Sequence, residues 1–163
     1  MNARDASLVE LVRACPLAVG LSPQQAAVLA ELVELHAFRA QHVLAREGEA
    51  DDRLIVVVDG TLDVLRHRGT PDETVLATLH AGDLAHELGF LDGKPRYATL
   101  VATRAGRMLT LARPSLETLI DREPRVLYAV MCAIARTVHR LQTQLSMEAS
   151  QLTNYVVKQH GRY

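Results

Sequence analysis

Residues 82–99 read GDLAHELGFLDGKPRYAT, and the fold turns on them. The hydrophobic pattern before this run is that of short strands; after it come strand and then helix. Inside it are two turn glycines, a carboxylate, an arginine directly behind a proline, and a strand that opens at Ala98-Thr99. Glu87-Leu88-Gly89 can close a short turn with backbone N–H groups pointing outward, an arrangement that attracts an anion. Arg96 is a planar, permanently charged fork suited to a phosphate. Glu87 is an acceptor suited to a sugar hydroxyl. Carboxylate, arginine and free amides together describe a nucleotide pocket.

The flanking chain supplies a frame. Ser7-Leu8-Val9-Glu10 has the spacing of a capping box, so a short helix is expected to start there and to end at Cys15-Pro16. Ser22-Pro23-Gln24-Gln25 is a second start signal, followed by an apolar face of Ala26, Leu29, Leu32 and Val33. From about Leu35 the period becomes strand-like. Residues 42–44, 53–58, 61–66, 75–79, 98–102 and 107–111 are short, rich in branched side chains and separated by Gly and Asp turn signals. Asp59-Gly60 between two such runs predicts a hairpin. Strands in series with turns predict a small antiparallel barrel or jelly roll.

Arg113-Pro114 opens a short helix and Glu123-Pro124 a long one. Leu127, Met131, Ile134, Val138, Leu141, Leu145 and Leu152 recur at steps near three and four, with Glu148 falling on the same seam. A helix of roughly 30 residues is about 45 Å long, more than a barrel of this size needs. The near-3.5 period predicts a parallel homodimer through this helix; the alternative is that its first half packs on the barrel and the rest is solvated. The expected fold is α+β: a jelly roll with short N-terminal helices over residues 1–122, then a dimerisation helix and tail over residues 123–163.

The run Glu87-Leu88-Gly89-Phe90-Leu91, then Pro95-Arg96-Tyr97-Ala98-Thr99, resembles the phosphate-binding cassette of the cyclic-nucleotide-binding domain family, which includes the catabolite activator proteins. REGEADD at residues 46–52 and the helical entry are also similar to that family, so the resemblance spans roughly Leu8 to Leu145. It implies that Glu87 takes a ribose 2′-hydroxyl and Arg96 a cyclic phosphate, with Leu88 and Gly89 in the cradle. It implies cAMP as ligand, with cGMP or a cyclic dinucleotide as alternatives. Gln142 falls near the helix position where the family sets a polar group against the base, often across a dimer. Two positions depart. His86 stands where the family has Gly, and Tyr97 where it has Ser, Thr or Ala. Each puts a ring at the pocket wall: His86 contacts the ligand, acts as a pH-sensitive lid or fills the pocket; Tyr97 stacks on a base or plugs the site. The catabolite-activator type continues into a DNA-reading domain of about 70 residues; here a stand-alone sensor is expected.

Charge and composition narrow the rest. A net charge of −1 gives no basic field for nucleic acid, so direct DNA binding is not expected. Cys15 and Cys132 lie too far apart in sequence for a disulfide scaffold or zinc motif, and His80, His86 and Glu87 lack metal-ligand spacing. There is no G-x-S-x-G, P-loop or legible carboxylate pair, so no enzyme is expected. No apolar run reaches membrane-span length and no signal peptide is evident, which predicts a cytoplasmic protein. Two functions compete. One is a sensor that binds a cyclic nucleotide and signals through its dimer helices to a protein partner. The other is a degenerate, non-binding dimeric adaptor whose pocket is filled by His86 and Tyr97. A regulator that borrows a DNA-binding partner is a third, lesser reading.

Overall fold

Two long strands organise the chain. β3 (Arg53–Arg66) and β6 (Thr99–Ala112) pair antiparallel, and every other strand attaches to one of them. β1 (Val33–Phe38) lies on residues 106–111 of β6 and β5 (Leu84–Ala85) on residues 55–56 of β3. At the other end β2 (Val43–Ala45) lies on residues 100–101 of β6 and β4 (Thr74–Leu79) on residues 62–66 of β3. Each long strand therefore serves two layers, β1-β6-β3-β5 and β2-β6-β3-β4, in a jelly roll. The structure, a computed structural model, describes the backbone of residues 3–160 and the side chains of residues 7–143, 146 and 147. Leu145, Glu148 and Leu152 of the expected seam lie outside the described side chains.

The layers meet where the strands bend, and the expected hairpin at Asp59-Gly60 is corrected here. The β3–β6 register shifts repeatedly between Val57 and Leu62. Gly60 has φ +85°, and a Cβ there would stand 2.8 Å from the Ala105 carbonyl oxygen and 2.9 Å from that of Arg104. Asp59-Gly60 supplies the positive φ of a turn, but the chain spends it on kinking one strand, not reversing it. Residues 98–102 and 107–111 likewise merge into the single strand β6, with Gly106 facing Gly60 across the bend.

Leu54, Ile55, Val56 and Val57 are each at most 2% exposed, because β3 is covered on both faces. Ile55 and Val57 point into the roll, against Ala45, Phe38, Leu62 and Leu100. Leu54 and Val56 point to a larger core built with the helices. Those are α1 (Ala3–Ala14), a 3-10 turn (Pro16–Ala18), α2 (Pro23–Ala30), α3 (Glu87–Asp92), α4 (Arg113–Glu117), α5 (Leu119–Arg122) and α6 (Pro124–His160). α1 begins before the capping signal at Ser7, since nothing in Ala3-Arg4-Asp5-Ala6 breaks a helix. α2 has its capping box: Gln25 N–H donates to Ser22 Oγ at 3.2 Å and Ser22 N–H to Gln25 Oε1 at 3.0 Å.

α6 is longer than its sequence pattern suggests, and its first half belongs to the core. Val126, Val130 and Ile134 are buried beside Val12, Leu29, Phe90 and Leu119. Ile134, assigned to the dimer seam by its spacing, is therefore not available to a second chain. Leu127 and Val138 also pack partly on this core, whereas Met131 and Leu141 are exposed.

Gly60→Ala should lower stability by about 2 kcal/mol or more, because strain at positive φ adds to collision with the β6 backbone. Gly69→Ala also sits at positive φ (+82°) but has no atom within 4 Å of its Cβ, and should cost only about 1 kcal/mol. Urea unfolding of the two variants compares them directly; equal losses would show that the bend is not sterically fixed.

Candidate functional site

The cassette hangs between two anchors. Leu84, at the end of the short strand β5, and Phe90, in α3, are both buried in the helical core. Between them the chain makes a sharp turn at His86, whose φ of 66° and ψ of 25° lie in the left-handed region. For a residue with a Cβ this conformation costs about 1–2 kcal/mol. α3 follows for a turn and a half and closes at Gly93, φ 73°, whose N–H donates to the Gly89 carbonyl at 2.9 Å. Just upstream, Asp83 accepts from His80 N–H at 2.9 Å and from Arg140 of α6 at 3.1 Å.

The His86 imidazole explains how the strained turn persists. Its Nε2 lies 2.8 Å from the Asp51 carbonyl oxygen. A carbonyl only accepts, so Nε2 carries the proton. The ring lies directly on the α3 turn, where a Cβ at residue 89 would run into it. Gly89 is thus required by the histidine beside it. His86 thus lies over the cassette turn, against the backbone of residue 51.

Glu87 and Arg96 stand in opposite electrostatic conditions. Glu87 is half-buried, and that burial pushes its carboxyl above the ordinary range, against small opposing contributions from its own backbone N–H and from His86. No other side chain pairs with it among the described residues. Arg96 is buried, its side chain 3% exposed, and already matched. Its Nη2 and Nε donate to Asp51 Oδ2 at 2.6 and 3.2 Å. Asp51 also accepts from Arg53: Nε to Oδ1 at 3.0 Å, Nη2 to Oδ2 at 3.0 Å and the backbone N–H to Oδ1 at 2.9 Å. Burial alone would raise the Asp51 carboxyl, but hydrogen bonds from Arg53 and Arg96 outweigh it and hold it well below the usual carboxylate range. The backbone completes the clasp, with Arg96 N–H to the Glu49 carbonyl and Gly48 N–H to the Arg96 carbonyl, both at 2.8 Å.

Tyr97 is not a plug. It is 67% exposed, with the Arg66 guanidinium 4.2 Å from its ring centroid. The plugging expectation is corrected for Tyr97: Arg66, fixed in turn by Glu47 at 3.0 Å, holds the ring on the outside. Leu88 is 57% exposed on the outer side of α3. Gln142 is exposed, about 200° around α6 from Arg140, and is not brought to the cassette of its own chain. An open groove of about 670 Å³ runs between the Arg46-Glu47 segment and the turn around His67 and Arg68, and its walls include none of His86, Glu87 or Arg96. No group of three or more His, Cys, Asp or Glu side chains among the described residues is placed to hold a metal ion. No helix among them is long and apolar enough to cross a membrane. Asp51 and Arg53 are the residues that sequence reasoning missed; their only local signal is an acidic pair followed by an arginine at the mouth of a strand.

Comparison with known proteins places these features. The family model described as "Cyclic nucleotide-binding domain" matches residues 35–123. The chain is 32% identical over 115 residues to cGMP-dependent protein kinase, isozyme 1, of Drosophila melanogaster, covering 69% of this chain and 15% of the kinase. It is 24% identical over 127 residues to the CRP-like cAMP-activated global transcriptional regulator of Mycobacterium tuberculosis, covering 78% of this chain and 57% of the regulator. The chain thus spans under two thirds of both relatives. A cyclic nucleotide-binding domain from Methylobacillus flagellatus has the same fold, with a TM-score of 0.74 at 20% identity over 93% of this chain and 84% of that one.

Two carboxylates should titrate stability in opposite senses. Glu87 has a raised folded pKa, so its favourable contribution is complete below the unfolded pKa and is lost as pH rises through the folded one. At pH 7 its ionised form is a cost, and Glu87→Gln should raise stability by about 1 kcal/mol, or roughly 2–4 °C. Asp51 has a lowered folded pKa, so its contribution is present above the unfolded pKa and is lost as pH falls through the folded one. Asp51→Asn should lower stability by about 1–3 kcal/mol at pH 7, the difference closing on acidification. Melting curves from pH 8 down to about pH 1.5 test both signs, and a Glu87→Gln protein that melts earlier at pH 7 contradicts the account of Glu87.

Proposed function

We propose a nucleotide-sensing role on one premise: the chain belongs to the cyclic nucleotide-binding domain family. On this reading it is a regulatory module with no catalytic step, and its ligand is a cyclic nucleotide, cAMP first, with cGMP or a cyclic dinucleotide as alternatives. Glu87 accepts a ribose hydroxyl and Arg96 holds the cyclic phosphate. His86, Leu88 and Gly89 form the wall, Tyr97 offers an exposed ring at the rim, and Gln142 is positioned to serve a neighbouring chain.

The observation that supports this best is the state of Glu87. A carboxylate that is half-buried, raised in pKa and without a side-chain partner is costly to keep, and a sugar hydroxyl would answer it. A structural carboxylate would be expected to have a partner, as Asp51 has. Signalling then follows from the anchors. Ligand binding must favour one placement of the cassette over another, and Leu84 and Phe90 pass that difference into the core shared with α6. We place the output in a homodimer formed through α6, with Met131 and Leu141 among its contacts, acting on a protein partner in the cytoplasm without direct DNA contact. We keep the division at residue 122 as a proposal for the dimerisation role of distal α6, the proximal residues Val126, Val130 and Ile134 sharing the core of the roll.

A second reading is favoured by a specific observation. His86 covers the cassette turn and Asp51 neutralises Arg96, as in an adaptor that binds no nucleotide.

Calorimetry against cAMP, cGMP and cyclic di-GMP separates the two. The sensor reading expects saturable binding by the wild type and a loss of about 2–4 kcal/mol in Arg96→Ala, which leaves a phosphate unpaired. Arg96→Lys should recover only part of this, because lysine lacks the fork. Absence of heat with all three ligands at millimolar concentration selects the adaptor. Light scattering tests the assembly: a dimer that Leu141→Asp dissociates supports the α6 seam, whereas a wild-type monomer at micromolar concentration removes it. Leu141 is the better probe because Val138 partly packs on the core and its change would also disturb folding.

A further inference from the structure

We propose that Asp51 is a built-in competitor for the phosphate position on Arg96, and that ligand binding hands its carboxylate over to Arg53. This rests on the nucleotide-sensing reading above, and it assigns the residue that sets the affinity of that site.

Geometry supports the exchange at each end. Arg96 gives its Nε and Nη2, one edge of the guanidinium, to the single oxygen Oδ2 of Asp51. With the side chain 3% exposed and its Nε–Nη2 edge taken, a phosphate arriving from solvent can meet Nη1 but not the paired edge. To gain that edge, an incoming anion must take the place of the anion already there. Asp51 has somewhere to go. Arg53 already grips both of its oxygens, and the Arg53 backbone N–H holds Oδ1 as well. Letting go of Arg96 therefore leaves Asp51 a bidentate partner in a side chain that is 49% exposed and free to follow it.

Charge balance agrees. Arg53, Asp51 and Arg96 together carry one net positive charge, and a cyclic phosphodiester, singly negative, brings the group to neutrality. A neutral sugar offers nothing in exchange for the carboxylate. The same residue also controls the cover, since the Asp51 carbonyl holds the His86 ring on the Gly89 turn. The arginine and the cover therefore meet at one residue, the first at its carboxylate and the second at its backbone carbonyl. The class of ligand that can pay this exchange presents an ionised phosphodiester to Arg96 and a hydroxyl to Glu87. The rival role is a positioning one, in which Asp51 stays on Arg96 in the complex and aims it; the two roles predict opposite effects of removing the carboxylate.

The test uses the full chain as wild type, Asp51→Asn and Asp51→Ser, each with and without Arg96→Ala. Cyclic AMP binding is read by calorimetry. Inorganic pyrophosphate is titrated separately while the Arg96 Nε–Hε nuclear magnetic resonance signal, identified by its loss in Arg96→Ala, is followed. The proposal expects at least tenfold tighter cAMP binding in Asp51→Asn, abolished by Arg96→Ala. It also expects the Arg96 signal to shift with pyrophosphate at concentrations that leave the wild-type signal unmoved. Asp51→Ser answers the same question where Asn does not fold, and Arg53→Ala, at a half-exposed site, should respond in the opposite sense with cAMP bound at least threefold more weakly. If the wild type binds cAMP and Asp51→Asn binds it equally or less well, the competitor role is overturned and the sensor reading survives. If no variant binds cAMP but the Arg96 signal in Asp51→Asn responds to pyrophosphate, the competitor role stands and the nucleotide reading falls. An unresponsive signal with no cAMP binding ends both.

Discussion

A buried cation needs an anion, and Arg96 finds one inside its own chain. Leaving a guanidinium desolvated and unpaired would cost several kcal/mol, comparable with a large part of a domain's stability. The loop over residues 46–52 is therefore brought down onto the start of β6. Its backbone makes two hydrogen bonds with Arg96, and Glu47 N–H donates to Thr99 Oγ1 at 3.0 Å. Once the loop is there, the carbonyl of Asp51 is within reach of His86, and the strained turn acquires its partner. The cassette's resting shape follows from a single electrostatic requirement.

The cassette is joined to α6 by two kinds of contact, and magnitudes decide between them. The Arg140–Asp83 pair is the visible tether, but with side chains 57% and 26% exposed it is a surface ion pair of about 0–1 kcal/mol. Leu84 and Phe90 are at most 4% exposed, and burying such side chains is worth about 1.5–3 kcal/mol each. Any movement of the cassette must repack them against Val126, Val130 and Ile134 or leave them behind. The packed anchors, not the ion pair, make the cassette and helix one mechanical unit.

Much of this was legible in the sequence because it is local. The cassette can be read from a carboxylate, a glycine and a Pro-Arg pair within a short span, the capping box of α2 from four residues, and the roll from strand-length apolar runs. The failures share a cause. Asp59-Gly60 carries the local chemistry of a turn, and whether it reverses a strand or bends it depends on β6, some 45 residues away in sequence. Asp51 and Arg96 are also 45 residues apart, and no periodicity joins them. Tyr97 reads as a wall residue from its place in the cassette; the arginine against its ring sits at the far end of β3. Ile134 fits a heptad and a core equally well, since both want an apolar residue at that spacing, and only the position of the roll decides.

The two halves of the cassette are unequal at rest, and on the nucleotide-sensing reading the inequality would give binding its direction. Arg96 is satisfied and Glu87 is not. A ligand that met only Arg96 would trade one ion pair for another and gain little. A ligand that also gives Glu87 a hydrogen bond removes a standing cost, and hydrogen bonds to charged groups are worth about 1.5–3 kcal/mol. Against this stands the cover, but the cover is itself close to balance: the left-handed turn at His86 costs about 1–2 kcal/mol and its bond to the Asp51 carbonyl returns about 1. The closed arrangement is therefore held mainly by Asp51 on Arg96. On the nucleotide-sensing reading, a module built this way would respond only to a molecule that supplies both the anion and the hydroxyl, because either alone leaves the exchange near zero.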